Sequence, residues 1–176
     1  MQLTEKELYF HFERIYFHEL QRKEQIFGRL NILLAVMVAL VGFYAVILAT
    51  DYKSLEGSAA FSFGFASAVS GWLLMIGAYF FTDALLGKMD TALATPNSLE
   101  AWRRQLQEYY SLEHDAERII AESIKNALYA DYMSCASLLT VNNDRKASSL
   151  YFCNMSLILA TALALVAYAV AKVPTI

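Results

Sequence analysis

The run LNILLAVMVALVGFYAVILAT, Leu30–Thr50, contains no Asp, Glu, Lys, Arg or His. It exceeds the roughly 20 residues a helix needs to cross about 30 Å of hydrocarbon. Two further uncharged runs match it, Gly57–Thr82 and Ala147–Ala171. A buried core helix seldom stays uncharged for so long, so the three runs read as membrane spans. The fold class that follows is an all-α membrane protein with three transmembrane helices. The composition agrees: the 176 residues are 57% hydrophobic and 18% charged, against about 45–50% and about 25% in ordinary soluble domains. Two cysteines exclude a disulfide-stapled secreted scaffold, and a net charge of −3 argues against a generally basic nucleic-acid binder.

Orientation follows from the basic residues. Lys6, Arg14, Arg22, Lys23 and Arg29 precede span one, and Lys88, Arg103, Arg104, Arg118, Lys125, Arg145 and Lys146 lie between spans two and three, leaving only Lys53 and Lys172 for the other side. The positive-inside rule therefore predicts a multi-pass membrane protein with its N-terminus cytoplasmic and its C-terminus outside. The first 29 residues are too charged for a cleavable signal peptide. Cys135 and Cys153 fall at or near the cytoplasmic side and are expected as reduced thiols.

Outside the spans the apolar residues keep a helical period. Leu8, Phe12, Ile15, Tyr16, Leu20 and Phe27 mark an amphipathic cytoplasmic helix over 1–29 that runs into span one, 30–50. It repeats Tyr9-Phe10-His11 as Tyr16-Phe17-His18, two helical turns apart and so on nearly one face. This aromatic density fits a helix packed by its own chain and by neighbouring copies. His11 and His18 lack a third ligand nearby, and no metal is expected. A second cytoplasmic segment covers 95–146. Asn97, with Glu100 three residues on, is expected to cap it, and Leu99, Trp102, Leu106, Ala116, Ile120, Ala127 and Met133 carry a helix to about Asn142, bent near His114-Asp115. Asn142-Asn143-Asp144 is expected to break or re-cap that helix before span three. The two segments together predict a cytoplasmic helical bundle shared between subunits.

Span two, 57–82, holds Gly57, Gly64, Gly71 and Gly77 with Ser58, Ser62, Ser67 and Ser70. Small residues four apart, as at Ala60, Gly64 and Ala68, let helices approach closely in lipid. Ser58, Ser62 and Ser70 share a face with Ala66 at the missing step, and hydroxyls at membrane depth need a partner or water. Close packing against spans one and three and a pore lining of Ser58, Ser62, Ala66 and Ser70 both fit this pattern. Span one reads as lipid-facing. Three spans per chain cannot easily enclose a conduction path, so a pore requires a homo-oligomer around a symmetry axis.

No span carries an ionisable side chain, which argues against pumps and ion-coupled transporters. Nucleotide-binding, zinc-protease, nucleophile-elbow and paired-cysteine motifs are missing, and no cofactor is expected. Arg14 and His18 are too close, and Arg104 and His114 too far apart, for the Arg–His pair of small defence ribonucleases. A membrane-tethered nuclease relying on His18 or His114 therefore ranks last, and the chain is expected not to be an enzyme. Charge remains. Arg103, Arg104, Arg118, Lys125, Arg145 and Lys146, with Trp102, Tyr109 and Tyr110 to stack bases, are the candidates for an anionic ligand. Ten acidic residues from Asp83 to Lys146 make solvated ion pairs the competing explanation, and Arg145-Lys146 also suits lipid headgroups.

The charged helix leading into span one, the short outer loop, the long cytoplasmic segment ending in Asn142-Asn143-Asp144-Arg145 and the final span together make a layout. It resembles the small transmembrane effectors of bacterial anti-phage defence, above all the channel effector of the Hailong system, and secondly the membrane proteins accompanying RNA-guided ribonucleases. The resemblance implies a homo-oligomeric channel of the bacterial inner membrane that depolarises it and halts the infected cell. In the Hailong case it implies a closed state held by a DNA oligomer of adenosine from a partner nucleotidyltransferase. The alternative is a non-conducting membrane adaptor that recruits a cytoplasmic defence enzyme.

Overall fold

The computed structural model describes residues 4–49, 55–86 and 92–172. They form four helices and, among the described residues, no strand: α1 (Glu5–Leu48), α2 (Gly57–Leu85), α3 (Pro96–Tyr109) and α4 (Ala116–Lys172). The architecture is all-α, and α1, α2 and α4 are each long and apolar enough to cross a membrane. The chain divides into two compact units, one of Met1–Lys23 with Lys88–Asn143, the other of Glu24–Gly87 with Asp144–Ile176.

In the first unit α1 starts at a reciprocal cap. Thr4 Oγ1 accepts from Glu7 N at 3.3 Å, and Glu7 Oε2 accepts from Thr4 N at 2.7 Å. These bonds hold the Glu7 carboxyl below the usual range. The tyrosines of the internal repeat then face α4: Tyr9 and Tyr16 each stand edge-on to Tyr132 at 5.7 Å, and Phe12 meets Tyr129 at 5.4 Å. Tyr16, Cys135, Ala136 and Leu139 form the buried core. The phenylalanines of the repeat, Phe10 and Phe17, stay over half exposed, at 54% and 55%.

Three local expectations need correction here. Thr95, not Asn97, caps α3: its side chain accepts from Ser98 N at 3.2 Å, because Pro96 takes the first helical position, where its fixed φ and missing N–H cost nothing. The segment expected as one bent helix is two. α3 ends at Tyr109, turns occupy 110–115, and α4 begins with Ile119 N donating to Asp115 O, an Asp in the favoured capping position. Finally, Asn142-Asn143-Asp144 does not interrupt α4. Asn143 turns its amide sideways, donating to Glu19 O at 2.8 Å and Glu19 Oε2 at 2.9 Å instead of competing for its own backbone. No Gly or Pro follows until after Lys172.

In the second unit all three apolar helices bury seams that recur at three- and four-residue steps. The α4 seam is Cys153, Leu157, Ala160, Ala164 and Ala167, each 0 or 1% exposed. Ile26, Leu30, Leu33, Leu40 and Ile47 of α1, and Phe63, Ala66, Ser70, Gly77 and Ala84 of α2, complete it. This 3.5-residue period is the signature of knobs-into-holes packing. The most apolar window of α4 is 39% buried against 17% for α1 and for α2, so α4 is the helix the other two lean on. Span one, expected to face lipid, is therefore covered along one stripe by its own chain. Gly57 enters α2 at φ +59°, a conformation other residues resist. Gly77 admits the α4 surface, since a Cβ there would lie 3.2 Å from Leu157 Cδ2.

Candidate functional site

The hydroxyl face expected of α2 divides in two. Ser70 is fully buried and donates to Ala160 O at 2.6 Å, and Ala66 lies in the core beside Ala164 and Ala167. Ser58 and Ser62 are exposed, with no side-chain hydrogen bond among the described residues. The small-residue positions Ala60, Gly64 and Ala68 are exposed as well, and a Cβ on Gly64 or Gly71 meets nothing within 4 Å. Close packing inside the chain thus uses Ala66, Ser70, Gly77 and Ala84, not the stripe the spacing singled out. Ser67 Oγ is buried without a partner, while its carbonyl accepts from Tyr44 OH at 3.4 Å.

The cationic candidates are engaged locally. Arg103 grips Glu100 through two bonds of 2.7 and 2.8 Å and Arg104 adds a third of 3.0 Å. Those guanidiniums push the Glu100 carboxyl down to about 2, and Glu100 in turn raises Arg103. Arg118 pairs with Asp115 at 3.1 Å and Lys125 with Glu5 at 3.5 Å. Trp102 is half-buried, and Tyr109, 80% exposed, stands edge-on to Tyr110 at 4.8 Å. Arg103, Arg104, Trp102, Tyr109 and Tyr110 share α3 and its C-terminal turn, and Arg118 and Lys125 occupy the first turns of α4. Arg104, 75% exposed in its side chain and bonded to Glu100 through Nε alone, keeps its terminal guanidinium nitrogens open to an anion, whereas Arg103 is held by Glu100 through both Nε and Nη2.

Arg145 and Lys146 belong to the second unit and face inward. Arg145 Nη1 donates to Asp83 Oδ1 at 2.6 Å, and Ser149 Oγ donates to Asp83 Oδ2 at 2.6 Å. The remaining guanidinium atoms Nε and Nη2 are buried without a hydrogen-bond partner. Lys146 is only 2% exposed, its ammonium 5.1 Å from the centre of the Phe27 ring. A headgroup-anchoring role does not fit a lysine so enclosed.

Sequence reasoning passed over three polar features. Asp83, directly after span two, faces Arg145 directly before span three, and an acid and a base flanking two consecutive spans on one side was the available signal. Glu19, 6% exposed, receives Asn143 and Arg22, the latter at 3.4 Å, and nothing in its spacing distinguishes it from its solvated neighbours. The third feature is a groove of about 490 Å³ lined by one stripe each of α1 and α4, including Arg29, Tyr151 and Asn154. Among the described residues, no group of three or more His, Cys, Asp or Glu is placed to hold a metal ion. Compared with protein-family models, curated proteins and solved structures, the chain finds no match.

Proposed function

We propose that several copies of this chain assemble into an inner-membrane channel that acts as an anti-phage effector, with the N-terminal helix, α3 and the start of α4 forming its cytoplasmic gate. What carries the reading is the uncovered face of α2. Ser58, Ser62, Ala60, Gly64 and Ala68 lie open, while the protomer's own helices close on one another through alanines and glycine. Small residues favour a neighbouring helix in lipid, and unpartnered hydroxyls favour water or a polar neighbour. A ring of α2 helices supplies both, and conduction then belongs to the assembly and not to one chain. The trigger in this reading is an anionic, nucleotide-type ligand that competes with Glu100 for Arg103 and Arg104 and binds one gate arrangement better than the other.

The test is reconstitution of the full chain in liposomes, with ion efflux and copy number measured on one preparation. Efflux that changes in Ser62→Leu, from an assembly larger than a dimer, supports the channel. A monomer or dimer, or no flux with or without adenosine oligonucleotides, removes it. The exposed Phe10 and Phe17 favour the second reading, an adaptor that captures a cytoplasmic enzyme. In that case deletion of residues 1–28 abolishes partner capture while the full chain never permeabilises membranes.

A further inference from the structure

The groove of about 490 Å³ is a place where two helices of the second unit each present one face. From α1 come Ile26, Arg29, Ile32 and Leu33, and from α4 come Ala147, Leu150, Tyr151 and Asn154. Both sets keep the three-to-four spacing of a single helix face and extend over two turns, about 10 Å. The volume is that of an ordinary small-molecule site, about 300–1,000 Å³. Its chemistry is amphipathic. Arg29 ends the charged part of α1, immediately before the apolar run, and among the described residues it has neither an ion-pair nor a hydrogen-bond partner. Asn154 lies seven residues into the third apolar run, exposed, and equally without a hydrogen-bond partner among the described residues. An amide left so in hydrocarbon is costly, and a lone guanidinium at the edge of the apolar layer attracts an anion.

We propose that this groove binds one anionic phospholipid. Its phosphate sits on Arg29, its glycerol and ester oxygens on Asn154 and the Tyr151 hydroxyl, and an acyl chain along Ile32, Leu33 and Leu150. Charge complementarity selects this occupant. A free phosphate would meet Arg29 but leave the apolar floor wet, and a helix of a second copy would cover the floor but strand Arg29. Arg145 and Lys146, already held by Asp83 and Phe27, leave Arg29 as the cation that reads the headgroup. The site requires membrane insertion but not conduction, so it stands or falls separately from the channel.

The full chain, stripped of lipid in detergent and titrated with phosphatidylglycerol or phosphatidylcholine, is followed by native mass spectrometry. The expected result is one tightly held phosphatidylglycerol per protomer, with phosphatidylcholine and inorganic phosphate unable to replace it. Retention should fall about fivefold in Arg29→Gln and fall also in Asn154→Leu, a change that suits a membrane helix and so guards against simple misfolding. Carbonate-resistant membrane association of both variants separates loss of the site from loss of insertion. A photo-crosslinking residue at Ile32 then reports the occupant. A lipid adduct supports the site, whereas an adduct with a second copy, equal retention of the two lipids, or unchanged retention in both variants overturns it.

Discussion

Helices α1 and α4 meet twice, once in each unit, and by different chemistry. In the first unit the contact is made of rings: Tyr9 and Tyr16 edge-on to Tyr132, and Phe12 against Tyr129. In the second it is made of Leu30, Leu33 and Leu40 with Leu150, Cys153 and Leu157, and farther along of Ile47 with Ala164 and Ala167. Rings bury much apolar area per residue, which is the effective currency where the alternative is water. In hydrocarbon apolar area brings no such gain, and helices hold through close approach and hydrogen bonds. The second unit, whose helices are apolar enough to cross a membrane, places small residues at its seam and ties α2 to α4 through Ser70–Ala160 and Asp83 with Arg145 and Ser149. Each unit also has a charged contact whose partial burial makes it expensive to break: Glu19 with Asn143 in the first, Asp83 with Arg145 in the second.

The largest effect is expected in the first unit. Asn143→Leu removes the bonds to the Glu19 carbonyl and carboxylate and leaves that carboxylate, 8% exposed in its side chain, with Arg22 at 3.4 Å and His18 at 3.7 Å. A loss of about 3 kcal/mol is expected from stranding a buried charged acceptor, read by denaturant unfolding of the purified chain. The double variant Glu19→Leu with Asn143→Leu should recover most of it, since no charge is then buried. If the single variant costs nothing, the Glu19 contact does not hold the unit. Next comes Asp83→Leu in the second unit. It strips Arg145 of its partner while Nε and Nη2 are already unsatisfied. Because both side chains are about a third exposed, roughly 2 kcal/mol is expected, with recovery in Asp83→Leu combined with Arg145→Leu.

These two contacts also mark where the sequence stopped being legible. The three apolar helices could be read because absence of charge over 20 residues needs no knowledge of partners. The register of their seams could not, since Leu, Val, Ala and Phe all suit lipid and core alike; Val38 stays exposed while Leu40 is buried. The same degeneracy hid which small residues pack. Gly64 and Gly77 look equivalent in the chain, yet only Gly77 meets α4. Asn142-Asn143-Asp144 misled because a polar triplet that breaks an isolated helix is tolerated when a buried carboxylate takes one amide. The basic candidates misled in the opposite sense. Their positions are visible in the chain, but their engagement by Glu100, Asp115, Glu5 and Asp83 depends on rotamers and on long-range packing.

The glycine pair gives a smaller effect that sharpens the comparison inside the second unit. Gly77→Ala places a methyl 3.2 Å from Leu157 Cδ2, and Leu157 is only 1% exposed, with little room to yield. A loss of about 1 kcal/mol is expected from overpacking, measured by unfolding of the protomer in detergent. Gly64→Ala meets nothing within 4 Å and should leave protomer stability within about 0.5 kcal/mol. Under the proposed assembly it should instead lower the copy number, because an added methyl on the open α2 face holds neighbouring helices apart. Equal stability losses in the two variants would mean that both faces of α2 are covered within one chain.

The smallest expected effects come from pH, and they fall on the first unit. Glu100 is depressed from an ordinary 4.5 to about 2, chiefly by its bonds to Arg103 and then Arg104. A depressed carboxylate favours the folded form above its unfolded pKa and loses that contribution as pH falls through the folded value. Helicity of α3 should therefore weaken between about pH 4.5 and 2, an exposed and modest change visible in far-ultraviolet circular dichroism and reduced in Glu100→Gln. The ring cluster has the opposite sign. Burial raises Tyr16 and Tyr132 above 10, and burial with the nearby Glu13 charge raises Tyr9. A raised phenol contributes stability that is complete below its unfolded pKa and is lost as pH rises through the folded one. Tyrosinate absorption from these three rings should thus rise late on alkaline titration, and unfolding should begin only above pH 10. If Tyr9, Tyr16 and Tyr132 titrate at the ordinary phenol value of 10, the rings are wet, and the aromatic half of the contrast between the units fails.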